Sequence, residues 1–121
     1  MVDSYVRGVD SIELEFTLTD EDGVIIDTTT LNDVIVELIT SRKSGPENTV
    51  YWTGSILGGE IDDINGATGV IKIYLDYTDT TTWTVSKIYY ARITIIDTDV
   101  DFSSGEKYSV SIAEAFKLIV E

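Results

Sequence analysis

A chain of 121 residues with 43% hydrophobic content has room for one domain and one core, and should bury roughly two-thirds of its unfolded surface. It has no cysteine and no histidine, which excludes disulfides, thiolate metal sites, cysteine nucleophiles and serine–histidine–aspartate catalysis, and removes the commonest zinc ligand. Twenty-two acidic against eight basic residues give a net charge of −14, which repels phosphate backbones and anionic lipid and argues against nucleic-acid and membrane partners.

The dominant pattern along the chain has period two, the signature of strands. From Ser11 to Thr19, the apolar Ile12, Leu14, Phe16 and Leu18 alternate with polar residues, as in a strand with one buried face. Asp20-Glu21-Asp22-Gly23 is a tight turn, with Gly23 supplying the positive φ, and Val24-Ile25-Ile26 returns as a short strand. The next strand spans Asp33 to Arg42, with Val34, Val36 and Leu38 on one face and Ile35, Glu37 and Ile39 on the other. Ser44 to Asn48 is a loop containing the single proline, Pro46. A strand from Thr49 to Ile56 carries Tyr51 and Trp52, and alternation requires one of those two rings to face outward. Gly58-Gly59 and Asn65-Gly66 bracket a turn-rich segment, followed by a strand with Ile71, Ile73 and Leu75 facing inward.

Asp76 to Ser86 is a polar, threonine-rich connection with room for one helical turn, and its Trp83 plugs the end of the sandwich. Lys87 to Asp97 is a strand apolar on both faces, which marks a central strand or one covered by a partner. In the last strand, Tyr108, Val110, Ile112, Phe116, Leu118 and Val120 share one parity, broken at Glu114, where a bulge or bend is expected. A helix over residues 111–120, favoured by Ala113 and Ala115, is the rival reading. Together these elements predict an all-β chain: an immunoglobulin-like antiparallel β-sandwich of about seven strands, with residues 1–121 as a single domain. Residues 1–7 lack the basic-then-apolar pattern of a secretory leader, and no apolar run approaches the ~18 residues that cross a bilayer.

Chemistry-bearing constellations are sparse. Asp97, Asp99 and Asp101 alternate as calcium ligands do, yet Phe102 stands where the tight-turn glycine belongs and Glu106 is too near to be the distal ligand. They are weak metal candidates, and turn chemistry explains them, the Glu60–Asp63 group and the Asp20–Asp22 group equally well. No carboxylate pair stands out as catalytic, so no catalytic residue, enzyme activity or cofactor is expected. Tyr51, Trp52, Tyr90 and Phe116 are the interface candidates, because exposed tyrosine and tryptophan anchor protein contacts. Tyr51 and Trp52 also admit a second reading, a carbohydrate-binding or adhesive platform.

Several of these segments, in order, resemble a known family. Ile12 to Leu18 with the turn Thr19-Asp20-Glu21-Asp22-Gly23 and Val24-Ile25-Ile26-Asp27 is similar to the opening of the immunoglobulin-like N-terminal domains of phage baseplate upper proteins. Thr30 to Leu38, Asn65 to Leu75 and Lys87-Ile88-Tyr89-Tyr90-Ala91-Arg92-Ile93-Thr94-Ile95 resemble later strands of that family, with Lys87 in place of a glycine. The resemblance implies a virion structural protein of the tail, neck, baseplate or capsid surface, assembled in the host cytoplasm. It would contact other virion structural proteins, as a homo-oligomer or within a symmetric assembly. The motifs are structural, and no functional residue carries over from them.

Overall fold

The computed structural model describes residues 2–40 and 49–120. Its strands are β1 (Ser4–Val6), β2 (Ile12–Thr17), β3 (Asp33–Ile39), β4 (Val50–Ser55), β5 (Ile61–Asn65), β6 (Val70–Leu75), β7 (Lys87–Thr98) and β8 (Glu106–Ile119). They form a five-stranded sheet of order β1-β8-β7-β3-β4 and a three-stranded sheet of order β2-β6-β5. In immunoglobulin lettering β2, β6 and β5 occupy the B, E and D positions, and β8, β7, β3 and β4 those of G, F, C and C′. The fold is therefore the all-β sandwich that the alternation predicts, with two differences. There are eight strands rather than about seven among the described residues, and β1 runs parallel to the end of β8.

Alternation accounts for how each sheet turns its apolar side inward. In β2, Ile12 and Leu14 are buried while Glu13 and Glu15 are exposed; in β6, Ile71, Ile73 and Leu75 are buried. The two strands pair antiparallel, and Lys72 on the outer face reaches Glu13 at 2.9 Å. One buried cluster joins both sheets, with Leu14 and Ile73 from the smaller facing Val36, Leu38, Ala91 and Phe116 from the larger. β7 is indeed central, since β3 and β8 pair along its two sides. No helix among the described residues is long and apolar enough to cross a membrane.

The turn after β2 forms as read: Gly23 has φ 80°, and the Asp20 carboxylate accepts the N–H groups of Asp22 and Val24. The expected return strand shrinks to one bridge, Thr19 to Ile25. The connection before β7 holds no helical turn, only successive turns closed by Asp79 N–H to Asp76 C=O and Trp83 N–H to Thr80 C=O. Trp83 is buried there and packs on Tyr51 and Tyr89, as an end plug would. The segment read as merely turn-rich contains β5, where Ile61 is buried and Asp63 accepts the Thr28 hydroxyl at 2.7 Å. The loop expected at Ser44 to Asn48, and the end of the β3 reading at Arg42, lie outside the described residues.

Candidate contact surface

β8 is a strand throughout, not the rival helix, and it is interrupted where the sequence led us to expect. Tyr89 pairs with Phe116 but Tyr90 pairs with Glu114, leaving Ala115 as the extra residue of a β-bulge. Because side chains alternate, one inserted residue exchanges the two faces of the strand for everything before it. After the bulge, Phe116 and Leu118 are fully buried. Before it, Ser109, Ser111 and Ala113 stand opposite the inward Ile95, Ile93 and Ala91, so Tyr108, Val110 and Ile112 lie on the outer face. Tyr108 and Val110 are 58% and 57% exposed.

The same residue exchanges the two edges. Lys117 N–H donates to Asp3 C=O and Ile119 C=O accepts from Arg7 N–H, so odd residues after the bulge face β1; Leu118 C=O accepts from Ser86 N–H on the β7 side. Before the bulge the parity reverses, as Gly105 C=O accepting Asp99 N–H across the hairpin confirms. The main-chain groups of Tyr108, Val110 and Ile112 therefore project away from β7, and β1 reaches only Lys117 to Ile119. Among the described residues no strand pairs with that stretch of edge. Along it, between β8 and the end of the smaller sheet, runs a groove of about 660 Å³ lined by Ile26, Leu31 and Ile95 and bordered at the edge by Val110. Asp20, Glu21, Asp97 and Lys107 stand around it.

No family model, curated protein or solved structure matches the chain.

The interface candidates named from sequence fall in different places. Phe116 is a core residue, not a contact residue: it is 0% exposed and stacked on Tyr89, because it follows the bulge. Tyr51 and Trp52 do not split between faces. A second bulge sets Leu38 opposite Trp52 and Ile39 opposite Val50, so Tyr51 is the extra residue and both rings pack against the core. Tyr51 leans on Trp83 and Tyr89, and its hydroxyl lies 3.0 Å from that of Thr84. Each ring is half-buried, so neither lies fully on the outer surface as strict alternation predicts for one of them. Tyr90 is half-buried on the outer face of β7, opposite Glu114.

Asp97, Asp99 and Asp101 serve the β7–β8 turn. The Asp97 carboxylate accepts Thr98 N–H at 2.9 Å, and that of Asp99 accepts Asp101 N–H at 3.0 Å. No group of three or more acidic side chains placed to hold a metal occurs among the described residues. The residues missed as contact candidates are Tyr108 and Val110. Their signal was the shared apolar parity on both sides of an expected bulge, which obliges one half of that stripe to face outward.

Proposed function

We propose that the chain is a structural module of a bacteriophage virion, in the tail, neck, baseplate or capsid surface, acting through contacts with other virion proteins. The observation that carries the contact role is the apolar stripe of β8, where Tyr108 and Val110 are held in water by the bulge. A stripe beside an open strand edge is a surface for another protein. The viral assignment draws on the family-like segments, which fall on β2 and its turn, β3, β6 and β7. The role we propose is non-enzymatic: the groove mixes hydroxyl, aliphatic and charged side chains, and the carboxylates of Asp20 and Asp97 in it are already bonded to main-chain N–H groups. A charge of −14 directs the module towards protein rather than nucleic-acid partners.

Immunogold electron microscopy of purified particles tests the reading. Label at a fixed site on tail or head is the expected result, and particles free of the chain would overturn it. A glycan array checks the sugar reading; binding abolished by Trp52→Ala would favour it over the virion role.

A further inference from the structure

We infer that the open edge of β8 accepts an extended segment of another protein as an added strand, apolar at alternate positions with lysine or arginine between them. This deepens the contact role proposed above and rests on it for the partner being a protein. Three observations converge on that occupant.

The edge supplies directional recognition. N–H and C=O groups of Tyr108, Val110 and Ile112 point away from β7, and main-chain pairing along such an edge is satisfied by extended polypeptide and by little else. The groove supplies selectivity. A strand laid beside β8 sends every second side chain inward, at ~6.8 Å spacing, over Ile26, Leu31 and Ile95; the others lie outward beside Tyr108 and Val110. The charge chooses between partners. Asp20, Glu21 and Asp97 outnumber Lys107 around the groove, in a chain of net charge −14. A second copy would bring another −14 to that acidic mouth, whereas a basic segment is drawn to it.

The probe is a fluorescein-labelled nine-residue peptide alternating valine and lysine, followed by anisotropy against the intact chain, with a valine–glutamate peptide as control. Val110→Pro removes an N–H from the open edge without removing one from the β7 ladder, a substitution that edge strands tolerate. Ser109→Lys places bulk and positive charge in the groove and serves if the proline variant does not fold. The lysine peptide is expected to bind and the glutamate peptide not, and either variant should weaken binding about tenfold or more. Equal binding of both peptides, or binding indifferent to both variants, would overturn the inference. So would a dimer on size exclusion that Val110→Pro converts to monomer, because a second copy would then hold the edge. Peptide binding without virion label would sink the viral reading alone; virion label without peptide binding would sink only the added strand.

Discussion

The ring of Tyr89 lies flat on that of Phe116, with centroids 5.0 Å apart and planes inclined by 8°. Both side chains are completely buried, at the paired position that immediately follows the β8 bulge. The stack is thus the inner anchor of the strand whose other half faces outward. Phe116→Ala should cost about 3–5 kcal/mol, a large share of a small domain's stability, read from the midpoint of urea unfolding. Tyr89→Phe keeps the stack and loses the hydroxyl's 2.8 Å bond to Thr84 C=O, at about 1 kcal/mol.

Burial pushes the Tyr89 phenol well above its ordinary value of 10.0, with the nearby Tyr51 adding to the shift. Below pH 10 the folded and unfolded chains both hold this proton, so the contribution to stability is complete there. Above pH 10 the unfolded chain releases it first, and stability falls until the folded value is passed. Urea unfolding followed from pH 8 upward should show that decline, and Tyr89→Phe should flatten it. A wild-type slope retained in the variant would contradict burial as the cause.

On the outer face, Arg92 stands directly opposite Glu37 across β7 and β3, with its Nε 3.0 Å and a terminal nitrogen 2.9 Å from one carboxylate oxygen. Both side chains are partly shielded, so the pair should couple more firmly than a fully solvated one. A double-mutant cycle with Arg92→Ala and Glu37→Ala should give a coupling of about 0.5–1 kcal/mol. Because part of each group still sees solvent, that coupling should shrink in high salt.

Deleting Ala115 should be far more damaging than substituting it. Without the extra residue, β8 must either expose Phe116 and Leu118 or drive Tyr108, Val110 and Ile112 inward. Exposing the first pair alone costs about 3–6 kcal/mol, whereas Ala115→Ser preserves the count and should cost little. Thermal unfolding of the two variants separates these outcomes.

The sandwich was legible wherever a strand has one wet face. Ile12, Leu14 and Leu18 against Glu13 and Glu15, or Ile71 and Ile73 against Lys72, announce themselves by alternation. β5 did not, because it is five residues long and its buried Ile61 is followed by two aspartates, which read as turn. β1 was hidden for a similar reason: three residues in a parallel pairing leave too short a pattern. The bulges explain the errors at the candidate site. The β8 bulge was visible as a break at Glu114, but which half of the apolar stripe faces the core depends on pairing with β7. The bulge at Tyr51 left no mark at all, since Tyr51-Trp52 looks like any two adjacent strand residues until Ile39 is found opposite Val50. Strict alternation then assigns one ring outward, and the extra residue turns it back.

The most direct measurement is amide hydrogen exchange along β8 in the isolated chain, read residue by residue by nuclear magnetic resonance. With the bulge at Ala115 and an open edge before it, the amides of Ser109 and Ser111 should be protected by β7, while those of Tyr108, Val110 and Ile112 exchange rapidly. Uniform protection across residues 108–112, or protection of the even positions instead, would mean that the edge is closed or the register is wrong, and the contact surface built on it would fall.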